Sequence, residues 1–93
     1  MTEDIGHQRG KAGGRFHIAV EGGEAEITYR LKGGVMTIDH TFVPVPARGG
    51  DVAMRLVRRA VAEAQSLGLK IAPDCPYVAR VFDFMPEWAP LRA

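Results

Sequence analysis

The sequence predicts a mixed α+β (α/β) fold: an antiparallel meander, one parallel crossover strand, two helices and a C-terminal cap. Three observations carry that prediction. Apolar residues alternate at period two through the first half of the chain, in runs separated by glycine turns. From Asp51 to Leu67 the apolar spacing changes to three and four, the period of an amphipathic helix. A short apolar segment follows that helix, and a strand–helix–strand order implies a right-handed crossover onto a parallel neighbour.

Composition narrows the class. At 93 residues the chain is one domain, and a hydrophobic share of 46% supports one core. The formal net charge is +1 with scattered arginines, so no strong field favours nucleic acid or an acidic membrane. One cysteine excludes an internal disulfide and fits a reducing compartment, so the expected setting is cytoplasmic. No apolar run approaches a membrane span. The N-terminus begins acidic and lacks the apolar segment of a secretory leader. One cysteine and three scattered histidines offer no metal-ligand spacing.

Residues 1–14 are polar and glycine-rich and are expected to form a mobile tail, leaving residues 15–93 as the domain. Arg15 to Val20 alternates, with Phe16, Ile18 and Val20 on one face, and is expected as an edge strand. Its exposed edge is open to a second copy, or is guarded by local charge. Glu24 to Leu31 alternates more clearly, with Ala25, Ile27, Tyr29 and Leu31 facing inward. Val35 to Val43 is the third strand, with Met36, Ile38, His40 and Phe42 on one side. With the crossover strand, these make four strands. Pro44 and Pro46 cannot donate ladder hydrogen bonds. They either leave the N–H groups of Val43 and Val45 open to an extended ligand or simply end the strand.

The first helix is expected from Gly50 or Asp51 to Leu67, burying Val52, Ala53, Leu56, Val57, Ala60, Ala64 and Leu67. Gly68 stops it. Leu69 to Ala72 is a short strand. Pro76 suits the first position of a second helix ending near Phe84, which places Cys75 at the N-cap. Pro86 breaks that helix, and Glu87 to Leu91 folds back as a cap.

Two stretches carry chemistry. Arg48-Gly49-Gly50-Asp51 leads from a strand into a helix. Such a turn leaves several N–H groups aimed one way at the positive end of the helix dipole, which suits a phosphate. A Gly-Gly pair is also an ordinary turn. Around Cys75, a helix N-terminus favours thiolate while Asp74 opposes it. The thiol is then either a nucleophile or a small buried side chain. His40 is either a general base or a satisfied core histidine. Tyr77 is either a general acid or a packing aromatic.

Four segments in this order are together fairly specific: His40-Thr41-Phe42-Val43, Arg48 through Leu56, Gly68 through Val78, and Met85-Pro86-Glu87-Trp88. Through them the chain resembles the Gcn5-related N-acetyltransferase (GNAT) superfamily. It resembles most its minimal single-domain branch, which carries a cysteine near the second helix. The resemblance spans roughly Ile27 to Leu91. It implies acetyl transfer from acetyl-CoA to an unidentified amine, small or protein-borne. It implies a pyrophosphate site built from Arg48, Gly49, Gly50, Asp51, Val52 and Ala53, and backbone pairing of the pantetheine arm with Phe42, Val43 and Val45. It implies that Cys75 sits near the thioester, as a nucleophile or only a contact to the CoA sulfur, and that Tyr77 serves as general acid; His40 is the other catalytic candidate. Asp51 stands where the family pattern has a small residue. Its carboxylate competes for the same N–H groups and repels a pyrophosphate, with Arg48 and Arg55 offsetting it locally. Two other expectations remain: a non-catalytic CoA-binding or acyl-CoA-binding module, and a small interaction protein that has lost the ligand.

Overall fold

A computed structural model describes residues 5–93. Its strands, in chain order, are β1 (Gly6–Arg9), β2 (Gly13–Val20), β3 (Gly23–Lys32), β4 (Val35–Phe42) and, after the first helix, β5 (Lys70–Pro73). The helices are α1 (Val52–Leu67) and α2 (Pro76–Phe84). Short 3-10 turns lie at Val45–Ala47 and Pro86–Leu91. The five strands form one sheet in the order β1-β2-β3-β4-β5. The first four are antiparallel neighbours, and β5 joins β4 in parallel through α1.

Period-two alternation decides which face is buried. Phe16, Ile18, Ala25, Ile27, Tyr29, Met36 and Ile38 are buried together, while the opposite face carries Arg15, Glu24, Glu26, Thr28 and Arg30. Helix α1 lays Leu56, Val57, Ala60, Val61 and Ala64 on that core, across β2 to β5. Helix α2 adds Val78, Val81 and Phe82 beside β4 and β5, and Trp88 closes over Phe82 with ring centroids 5.4 Å apart. Full burial of one such aliphatic side chain stabilises by roughly 1.5–3 kcal/mol, so the core, not surface charge, holds the layers together. The chain leaves α1 through Gly68, in the left-handed region at φ 70°, whose N–H serves the carbonyls of Ala64 and Gln65.

The structure corrects the sequence reading in four places. The expected tail contains strand: β1 pairs with β2 from Gly6↔His17 to Arg9↔Gly14, and β2 begins at Gly13 rather than Arg15. The remainder of that tail, residues 1–4, lies outside the described residues. The sheet therefore has five strands rather than four, and β1 covers Arg15 to His17 of the expected edge strand. The physical reason is a contact with residues later in the chain. His7 stacks on Phe16 with ring centroids 4.1 Å apart and shares a hydrogen bond of 2.5 Å with the Tyr29 hydroxyl. One aromatic contact thereby anchors a segment that has no apolar alternation. The Arg9–Glu63 pair at 3.3 Å is half exposed on the arginine side. A pair of that kind is worth less than about 1 kcal/mol, so the stacked histidine does more. On α1, Val61 is buried with Val57 and Ala64, while Leu67, the last residue of the helix, is 43% exposed. The fourth correction concerns His40 and belongs to the site.

Candidate functional site

The site starts from an extra residue. Along β3 and β4, Thr28 pairs with His40 and Tyr29 pairs with Ile38, so Asp39 is bulged out of the ladder. Its carboxylate accepts a hydrogen bond of 2.6 Å from the Thr28 hydroxyl and pairs with the Arg30 guanidinium at 3.2 Å. A bulge inverts the alternation beyond it. His40, expected beside Met36 and Ile38, is exposed on the polar face with Thr28. Thr41 turns inward instead, opposite Ile27, and Phe42 is 43% exposed.

The same region is where the sheet opens. The β4–β5 pairing stops at Ile38↔Pro73, where proline has no N–H to continue it. The Ile38 carbonyl accepts from the N–H groups of both Asp74 and Cys75, each at 3.0 Å. Beyond that point β4 continues to Phe42 with β3 as its only partner strand. The chain after Pro73 turns into α2 with Cys75 as N-cap, as the proline spacing predicts. Cys75 is 8% exposed, and its thiol donates to the Thr41 hydroxyl at 3.4 Å, tying the start of α2 to the end of β4.

The loop after β4 forms the other wall. Pro44 and Ala47 close a turn through a 2.9 Å backbone hydrogen bond, and the Arg48 Nε donates to the Val43 carbonyl at 2.7 Å. Beneath it sits the turn between β2 and β3. A Cβ added to Gly22, whose φ is +87°, would lie 2.9 Å from Pro46. Glycine is therefore required there twice, for the turn and for the close approach. Helix α1 begins after Gly49 (φ +90°) and Gly50, around which a Cβ would meet nothing within 4 Å. Asp51 is the N-cap, but its side chain caps no amide; it pairs with Arg55 at 3.3 Å. The first-turn N–H groups have no intrahelical partner, and the carboxylate expected to compete for them is directed elsewhere.

Between these walls lies a groove of about 340 Å³, lined by Thr41, Phe42, Val43, Ala47, Arg48, Gly49, Gly50, Val52, Ala53 and Tyr77. It brings together most residues singled out in the sequence. Val45 is 71% exposed and, like Asp51, lies outside the lining. His40 faces the opposite side of the sheet, and Cys75 stands behind Thr41. Thr41 and Ala47 were missed; the bulge that turns Thr41 inward leaves no mark in the apolar pattern. Tyr77, partly buried, has its phenol pKa pushed above the ordinary value of 10.0 by desolvation. Among the described residues no cluster of His, Cys, Asp or Glu is placed to hold a metal ion. Among the described residues no helix is long and apolar enough to cross a membrane.

The walls thus combine a helix N-terminus, an arginine, a mostly apolar trough and a protonated phenol. A family model described as GCN5-related N-acetyl-transferase matches residues 15–91. Among solved structures, the chain is similar to a Staphylococcus aureus protein described as GCN5-like, determined in solution by NMR. The two are 24% identical, the match covers 99% of this chain and 91% of that one, and the TM-score is 0.70. At that identity the likeness establishes the fold.

Proposed function

The chain belongs to the GCN5-related N-acetyltransferase family, and from that premise we propose that it moves an acetyl group from acetyl-CoA to an amine. One observation carries the reading: the start of α1, with no side-chain cap, and Tyr77 line the same groove. The residues fit the cofactor. Arg48 and the N–H groups following Gly49 and Gly50 suit a pyrophosphate, and the empty space around both glycines lets it approach the backbone. Phe42, Val43 and Ala47 offer an apolar wall to the pantetheine arm. Bound there, acetyl-CoA supplies an activated thioester. Of the remaining residues assigned by resemblance, Val45 and Asp51 bound the loop without lining it.

Tyr77 stays protonated through the neutral range, because desolvation raises its pKa. With acetyl-CoA held in the groove, its phenol would serve as the general acid for the leaving thiolate, and the proton shed by the acylated nitrogen would restore the phenol. No residue lining the groove is a base at neutral pH, so the ammonium of the acceptor loses its proton to water. His40, exposed on the far face, takes no part in this scheme. Cys75 takes no covalent part: its thiol, bonded to Thr41 behind the wall, packs the start of α2 against the end of β4, and transfer is direct. The free thiol fits a reducing, cytoplasmic setting.

The absence of a base from the lining also favours a second reading, a module that holds acetyl-CoA without turnover. Release of free CoA thiol in the presence of a panel of primary amines separates the two. Amine-dependent release supports transfer. Binding of acetyl-CoA with no release from any amine supports the module. Neither binding nor release removes both readings.

A further inference from the structure

At the end of the sheet opposite the groove, the β1–β2 turn, the β3–β4 turn and the end of α1 converge on a second cleft of about 490 Å³. Its floor is aliphatic: Leu31, Val35 and Leu69 are half-buried, and Leu67 is 43% exposed. Its rim is cationic, with Arg9, Lys11 and Lys32, and no acidic residue lines it. Arg9 is paired with Glu63 at 3.3 Å. Lys11 and Lys32 are exposed and make no hydrogen bond or ion pair with any described residue. A Cβ added at Gly33 or Gly34 would meet nothing within 4 Å, so the turn leaves the rim open. The net charge of the protein is only +1, so this cluster is a local arrangement rather than part of a general excess.

An aliphatic floor under a basic rim, whose two lysines are unpaired among the described residues, complements a ligand with an apolar side chain flanked by carboxylates. The cations are spread over two turns. That distribution matches several carboxylates along an extended chain better than the single head group of a fatty acid. We propose that this cleft docks an acidic peptide segment of a protein partner, seated by one large apolar side chain on Leu31, Leu67 and Leu69 and held by its carboxylates on Lys11 and Lys32. The cleft and the groove lie at opposite ends of β4 and α1, so such docking leaves the groove accessible.

The probe is a fluorescein-labelled hexapeptide with Leu-Trp between two pairs of aspartates, titrated with the full chain and followed by anisotropy. Its charge-reversed counterpart carries lysines in place of the aspartates. The acidic peptide is expected to bind at least about tenfold tighter than the lysine version, and to weaken several-fold between about 0.05 M and about 0.5 M salt. The double variant Lys11→Glu/Lys32→Glu is expected to lose at least about tenfold, with its melting curve showing that these exposed changes leave the fold intact. Leu67→Asp is expected to weaken binding in the same way. Equal binding of both peptides, no binding, or a double variant that binds like wild type overturns the proposal. So does decanoate binding without peptide binding, which would make the cleft a lipid site.

Discussion

The Cys75 thiol donates to the Thr41 hydroxyl at 3.4 Å, across the point where β4 and β5 part. The contact exists because the bulge at Asp39 turns Thr41 inward and because Pro73 ends the parallel pairing. Buried at 8% exposure and with its thiol already engaged, Cys75 is poorly placed to attack a thioester. Cys75→Ala is therefore expected to keep turnover within about threefold and to cost about 1 kcal/mol of stability, as for the loss of a small buried side chain. Denaturant melts and steady-state rates check both. A loss of turnover beyond about a hundredfold with stability unchanged would mark a nucleophile instead.

Tyr77 gives a pH signature. Its phenol pKa is raised by desolvation, so the acid form persists above the ordinary tyrosine range. Turnover is expected to rise with pH as the acceptor amine loses its proton, with no falling limb below about pH 10. Tyr77→Phe is expected to lower kcat about a hundredfold while leaving the KM for acetyl-CoA nearly unchanged. A falling limb near neutrality, or a variant with wild-type kcat, would contradict the assignment.

Gly22 supports the groove from beneath. Any side chain there meets Pro46 at 2.9 Å and must adopt φ +87°. Gly22→Ala is expected to cost about 1–3 kcal/mol and, through the displaced Pro44–Pro46 segment, to weaken acetyl-CoA binding. Pro46→Ala removes the contact from the other side without the strain. It is expected to weaken acetyl-CoA binding with a smaller loss of stability, and an unaffected affinity in both variants would show that the two prolines do not position the wall.

His7 makes the attachment of β1 sensitive to pH. Its pKa is lowered from 6.5, first by desolvation, with Arg59, Arg9 and His17 pushing the same way and Glu63 opposing. The unfolded chain therefore binds the proton more readily than the folded one. The stability tied to neutral His7 is fully present above the unfolded value and is lost as pH falls through the lower folded value. Thermal stability is expected to decline between about pH 7.5 and about pH 5, and His7→Phe, which keeps the stack on Phe16, is expected to flatten that decline. An unchanged slope in the variant would place the acid sensitivity elsewhere.

Much of this architecture is legible in the sequence. The alternation of Ala25, Ile27 and Tyr29, the spacing of Leu56, Val57, Ala60 and Ala64, and the Cys75-Pro76 helix start all reappear in the structure. What was not legible depends on partners distant in the chain. Strand β1 has no apolar period of its own; it is held by a ladder to β2 and by His7 on Phe16. The bulge at Asp39 is settled by the cross-strand bonds of Thr28 and Arg30, so a strict two-residue period placed His40 on the wrong face. Asp51 was expected to obstruct the helix start, but Arg55, one turn on, draws its carboxylate away from the amides.

The most direct test of the account is a calorimetric titration of acetyl-CoA into wild type and into Gly50→Glu. Gly50 is not in the left-handed region and a side chain there meets nothing within 4 Å, so the variant is expected to fold while placing a carboxylate in the groove. The account predicts saturable binding at one site in the micromolar range by wild type, and a loss of at least about tenfold in the variant from charge repulsion at the helix start. No binding by wild type, or equal binding by both, would contradict the assignment of this groove to acetyl-CoA.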